Sequence, residues 1–172
     1  MADAARTQTL RNVLFLCTHN SARSVLAESL LGVIGKDRFR AFSAGSHPSG
    51  RVNPFAVELA RSIGYPADCI RSKSWDEFAR AESGAPAMDI VITVCDDAAG
   101  EACPVWLGHP TTAHWGFPDP SRVDGGEDAK RAAFHRVFAD IRKHIEALID
   151  LPESDFAPER LRAALERIHA LA

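Results

Sequence analysis

The feature that most constrains this chain is a buried-strand pattern, Asn12-Val13-Leu14-Phe15-Leu16, running into Cys17-Thr18-His19-Asn20-Ser21-Ala22-Arg23 and then into Ser24-Val25-Leu26-Ala27-Glu28-Ser29-Leu30-Leu31. The last segment reads as an amphipathic helix reaching about Gly35. Strand, seven-residue loop and helix in that order make a cradle for a tetrahedral oxyanion. Loop N–H groups point inward, the helix N-terminus adds positive potential, and a guanidinium clamps two oxygens. The same field is expected to lower the Cys17 pKa and yield a thiolate nucleophile. A lone cysteine is usually a small buried hydrophobe, and Cys followed six positions later by Arg is common by chance. The flanking strand and helix, with a hydroxyl at Ser24, remove most of that background.

The rest of the chain alternates in the same manner. Strands are predicted at Arg38–Ser43, Asp89–Cys95 and Thr111–Trp115. Asn53-Pro54 starts a helix that stops at Gly64, and a small helix lies near Trp75–Arg80. Phe134, Val137, Phe138, Ile141, Ile145 and Leu148 recur every three or four positions, marking a long core-facing helix. Pro158 opens a final charged helix with Leu161, Leu165 and Ile168 on one face. The alternation predicts an α/β fold, a three-layer sandwich with a central parallel sheet. The expected division is one domain over residues 11–151 and a C-terminal helical extension over 152–172.

A net charge of −3 gives no support to nucleic acid or an anionic membrane as partner. The first twelve residues lack the apolar stretch of a signal peptide, and no run approaches membrane-spanning length. The simplest expectation is a cytoplasmic protein. In that compartment the four cysteines, at 17, 69, 95 and 103, do not suggest a structural disulfide framework.

Cys95 and Cys103 lie close enough in sequence for a bridge across an irregular segment containing Gly100. Zinc competes as an explanation, but no second close cysteine or histidine pair accompanies them, which favours a redox role over a metal. Cys69 reads as a bystander. Ser24 either donates to the Cys17 sulfur or is an ordinary first-turn serine. Asn20 and Ser21 are expected to brace the loop, and His19 to stand beside a bound substrate. Asp119-Pro120 is a turn pair by statistics, and alternatively a carboxylic acid brought over the loop to protonate a leaving oxygen. Glu28 is expected to face solvent or to pair with a basic neighbour.

Val13 to Ser24, Ser43-Ala44-Gly45-Ser46 and His114-Trp115-Gly116-Phe117-Pro118-Asp119-Pro120-Ser121 together resemble arsenate reductases with the low-molecular-weight tyrosine phosphatase fold. The resemblance implies arsenic-detoxifying chemistry by a three-cysteine relay. Cys17 would form a thiol-arsenate adduct within Thr18, His19, Asn20, Ser21, Ala22, Arg23 and Ser24. Cys95 would attack Cys17 to release arsenite, and Cys103 would carry the disulfide outward to thioredoxin or a glutaredoxin-type donor. It further implies Asp119 as catalytic acid, no tightly bound cofactor, and a potassium ion near Asn20, Glu28 and Ser43. The competing reading is a low-molecular-weight protein tyrosine phosphatase using Cys17, Arg23 and Asp119. Such phosphatases commonly carry tyrosine beside the Asp-Pro pair, where this chain has Ser121.

Overall fold

The computed structural model describes residues 9–80, 83–96, 100, 106 and 108–171. Four parallel strands form its sheet: β1 (Arg11–Cys17), β2 (Phe39–Gly45), β3 (Ile90–Thr93) and β4 (Thr111–His114), in spatial order β2-β1-β3-β4. The chain leaves β1 toward β2 on one side and returns to β3 on the other, so the C-terminal end of β1 is the topological switch point. Crevices at such points are where open α/β sheets bind ligands. Cys17 is the last residue of that strand.

Strand periodicity explains the layers. Val13, Phe15 and Cys17 point into one core, shared with Leu26 and Leu30 of α1 (Arg23–Ile34). Phe134, Ile141 and Ile145 of α4 (Glu127–Ile149) close that core. Leu14 and Leu16 point to the opposite face, onto Ala44, Phe78, Met88 and Trp106. Alternate residues of one strand thus serve two apolar layers, as a sheet covered on both sides requires. α2 (Pro54–Ser62) begins at Asn53, whose side chain accepts from the Phe55 N–H at 3.0 Å. α3 (Asp76–Ala79) carries Phe78 into the second core.

Several boundaries differ from expectation, β2 by reaching Gly45 and β4 by stopping at His114. β3 stops at Thr93 rather than Cys95, although the Val94 N–H still donates to the Leu16 carbonyl at 2.8 Å. α4 starts at Glu127, well before the apolar stripe, with Glu127 and Asp128 in its first turn where acidic side chains favour a helix start.

The C-terminal segment packs on the same core. Leu161, Ala164, Leu165 and Ile168 of α5 (Pro158–His169) are buried, and Trp115 Nε1 donates to the Leu165 carbonyl at 3.0 Å. Phe156 lies against Phe39, with ring centroids 5.9 Å apart. Arg11 and Arg38 each reach the Glu153 carboxylate at 2.8 Å. Among the described residues, no helix is long and apolar enough to cross a membrane.

Candidate active site

The loop after β1 is held open by its surroundings. The carbonyls of Thr18, His19 and Ser21 accept from the N–H groups of His47, Ser49 and Asn53 at 2.8–3.0 Å, which turns them outward. Asn20 sits at φ 47°, a left-handed geometry asparagine tolerates better than most residues. Its N–H donates to the Cys17 sulfur at 3.2 Å. Gly45 pairs with Cys17 across the sheet, and a Cβ there would lie 2.5 Å from the Thr18 carbonyl oxygen and 3.0 Å from the Asn20 nitrogen. Only glycine lets the end of β2 approach the loop so closely.

Side chains beneath the loop orient its hydrogen bonds. The Lys73 N–H donates to Asn20 Oδ1 at 2.9 Å, so Asn20 Nδ2 must face the other way. It donates to Ser24 Oγ at 2.8 Å and to Ser43 Oγ at 3.0 Å. Ser24 Oγ also lies 2.8 Å from the Cys17 sulfur, and toward a Cys17 thiolate, which can only accept, its hydroxyl is the donor. Ser24 is fully buried, and its hydroxyl contact is with the sulfur rather than the helix backbone.

The expected lowering of the Cys17 pKa is not met here. Burial pushes the thiol up, and the neighbouring Cys95 adds to the rise, against the hydrogen bonds from Ser24 and the Asn20 N–H. The Arg23 guanidinium is engaged at the mouth of the loop. Its Nη1 donates to the Phe117 carbonyl at 2.9 Å, and its Nη2 lies 3.5 Å from Asp119 Oδ2.

Asp119 combines its two expected places. It caps the short turn Pro120–Arg122, accepting from Ser121 N–H at 2.9 Å and Ser121 Oγ at 2.6 Å. It also stands at the mouth of the site with Arg23, Asp96, Phe117, Pro118 and Arg122. Burial pushes its carboxyl up, but Ser121, Arg23 and Arg122 outweigh that and hold it below the ordinary aspartate value. A carboxylate so held is an anion at neutral pH.

Cys95 is buried just past β3, beside the strand end that carries Cys17, and Thr18 Oγ1 is 3.8 Å from its sulfur. Cys69 is exposed at the end of the turn Ala67–Cys69. Cys103, expected as the third cysteine of the relay, lies outside the described residues. His19 is exposed on the rim, its Nδ1 3.2 Å from the His47 carbonyl oxygen. Ser21 and Ala22 complete the loop, and Ala22 is buried at the start of α1.

Glu28 is 5% exposed, so the solvent-facing reading is wrong and the paired one holds. Its Oε2 lies 3.4 Å from Lys73 Nζ and accepts from Ser43, while its Oε1 accepts from Tyr65 Oη at 3.1 Å. Burial pushes the Glu28 carboxyl up, opposed by Lys73 and these hydroxyls. Lys73 Nζ also reaches Ser43 Oγ at 3.2 Å and the Arg71 carbonyl at 3.4 Å. Potassium does not fit among these residues, because an ammonium already takes the oxygen contacts a cation there would need. Nothing in the sequence singles out Lys73, whose surroundings Arg71-Ser72-Lys73-Ser74 read as surface.

Residues 12–163 match the low molecular weight phosphotyrosine protein phosphatase family. The arsenate reductase of Bacillus subtilis is 35% identical over 134 residues, covering 78% of this chain and 91% of that protein. An arsenate reductase from Archaeoglobus fulgidus matches in structure with a TM-score of 0.59 at 28% identity, over 81% of this chain and 99% of that one. A thioredoxin-dependent arsenate reductase of Corynebacterium glutamicum matches in fold with a TM-score of 0.55 at 24% identity, over 80% of this chain and 62% of that one.

Proposed function

Because this chain belongs to the low molecular weight phosphotyrosine protein phosphatase family, in which its curated relatives include arsenate reductases, we propose that it reduces arsenate to arsenite with an external thiol donor. The observation that carries this reading is Cys95. Phosphate-ester hydrolysis needs Cys17, Arg23 and Asp119, and has no use for a second buried sulfur at the adjoining strand end.

Arsenate dianion enters the loop and takes the Arg23 fork from Asp119. The added negative charge raises the proton affinity of Asp119, which then carries the Cys17 proton to the departing oxygen. The sulfur–arsenic bond forms as water leaves: Cys17–SH and HAsO₄²⁻ give Cys17–S–AsO₃²⁻ and H₂O. Cys95 attacks the Cys17 sulfur, and the sulfur–arsenic pair of electrons stays on arsenic, reducing As(V) to As(III). The thiol proton and two from solvent complete arsenous acid, and a Cys17–Cys95 disulfide remains. Cys103 exchanges with that disulfide, and thioredoxin or a glutaredoxin-type dithiol reduces the Cys95–Cys103 bond.

The test is arsenate-dependent NADPH oxidation coupled through thioredoxin and its reductase, beside a glutaredoxin system. Turnover with either supports the proposal. Hydrolysis of an aryl phosphate without arsenate reduction overturns it in favour of a phosphatase.

A further inference from the structure

The oxygens around Lys73 Nζ come from three separate parts of the chain: Glu28 on α1, Ser43 on β2 and the Arg71 carbonyl. Lys73 is 6% exposed, and lysine is almost never buried without a partner. The same residue also touches the loop through its backbone, where its N–H holds Asn20 Oδ1. We propose that Lys73 is a positioning residue for the nucleophile, a fixed internal cation that keeps Asn20 and Ser24 aimed at the Cys17 sulfur and makes the loop independent of any alkali metal ion.

Proton placement links the ammonium to the sulfur. Lys73 Nζ has only hydrogens to give, so Ser43 Oγ accepts from it and must turn its own hydrogen to Glu28. Ser43 Oγ is then free to accept from Asn20 Nδ2 as well. Asn20 Nδ2, committed as a donor on both sides, takes a lone pair of Ser24 Oγ and leaves the Ser24 hydrogen for the sulfur 2.8 Å away once Cys17 is a thiolate, which can only accept. Removing the ammonium leaves Glu28 as a buried carboxylate without its counter-charge, which disfavours the whole one-directional chain. Glu28, Tyr65 and Lys73 line a surface groove, so a small cation from solvent has a route to the position that a shortened side chain would vacate.

This role of Lys73 rests on the proposed reaction only for what the sulfur attacks, so its test reads the sulfur directly. The rate of Cys17 alkylation by iodoacetamide is measured at fixed pH and ionic strength, from the mass of the peptide that contains it. Wild-type protein is expected to react at one rate in potassium, sodium or tetramethylammonium chloride. Lys73→Ala should react about threefold to tenfold more slowly, the span of one lost hydrogen bond. Potassium, ammonium or methylammonium chloride should restore it, whereas bulky tetramethylammonium should not. Ser43→Ala, which keeps the Lys73–Glu28 pair, should slow to a similar degree without rescue by any cation. In arsenate turnover both variants should lose kcat with little change in KM. A wild-type rate that depends on potassium overturns the assignment, as does an unrescued Lys73→Ala. Should Lys73→Ala fail to fold, Ser43→Ala reacting at the wild-type rate overturns it. If wild type reduces no arsenate while the alkylation pattern holds, the reaction is wrong and the role of Lys73 stands.

Discussion

Arg23 and Asp119 face each other across the mouth of the loop, Nη2 to Oδ2 at 3.5 Å, while the other arm of the guanidinium donates to the Phe117 carbonyl. In the proposed reaction the group that would clamp the oxyanion and the group that would handle its proton are therefore partners before substrate arrives. Both side chains are mostly buried, at 15% and 18% exposure, so the pair is less screened than a surface ion pair. An anion bound there as proposed would compete with Asp119 for Arg23, and its success would set Asp119 free to accept a proton.

Asp119→Asn should separate these roles. The rate of arsenate reduction should fall by about 10²–10⁴-fold, the usual contribution of a positioned acid. Inhibition by phosphate should become tighter, because a neutral amide no longer competes for the guanidinium. Steady-state kinetics with phosphate as competitor check both. An unchanged rate would leave Asp119 with its turn alone.

Much of this site is legible in the sequence itself. The break from a period-two run to a helical pattern at Cys17 locates the loop, since both periods are written in adjacent residues. Asp119 is legible as a turn residue because its Ser121 contacts are local, while its approach to Arg23 joins residues far apart in sequence. Glu28 resists such a reading for a physical reason. Every residue of α1 from Ser24 to Leu31 is buried, so position on the helix does not reveal a solvent side. Lys73 is invisible because its carboxylate partner is 45 positions away. The thiol pKa departs from expectation because the loop's field can be inferred from a motif, whereas the depth of burial cannot.

Ser24→Ala should make Cys17 a poorer nucleophile without unfolding the helix. The Ser24 hydroxyl is the largest influence opposing burial of the thiol. Without it, the midpoint of Cys17 alkylation against pH should move upward. Reactivity at neutral pH should fall roughly tenfold, the scale of a hydrogen bond to a charged group. A profile that superposes on wild type would return Ser24 to the role of a helix first-turn residue.

Glu153 clasps Arg11 and Arg38, which hold its carboxyl down at about 2. Its unfolded value is higher, near 4.5, so the unfolded chain binds the proton first as pH falls. The clasp therefore contributes its full stability above about 4.5, and the contribution is lost as pH drops through the folded value near 2. The Glu153 side chain is 54% exposed, which screens the pair and limits its contribution to about 1 kcal/mol or less. Glu153→Gln should melt slightly below wild type at pH 7, and the gap should close as the pH is lowered. A gap that persists undiminished at the lowest pH would mean the glutamate acts by packing rather than charge.

Cys103→Ser and Cys95→Ser should stall the reaction at different points. With Cys103 replaced, Cys17 and Cys95 still hold two electrons, so one arsenite per enzyme should appear before turnover stops. Peptide mapping should then find a Cys17–Cys95 disulfide, because no third thiol moves it outward. With Cys95 replaced, no thiolate stands beside the arsenic-bearing Cys17, and a donor-free single turnover should release no arsenite. The difference follows from disulfide exchange, which requires an incoming thiolate within reach of the sulfur attacked. The sheet brings Cys95 toward Cys17: Leu16 pairs with Thr93, two residues further along β3's path is Cys95, and one residue past Leu16 is Cys17. If both variants cycle normally with thioredoxin, the relay is wrong, and a small thiol such as glutathione must resolve Cys17 directly.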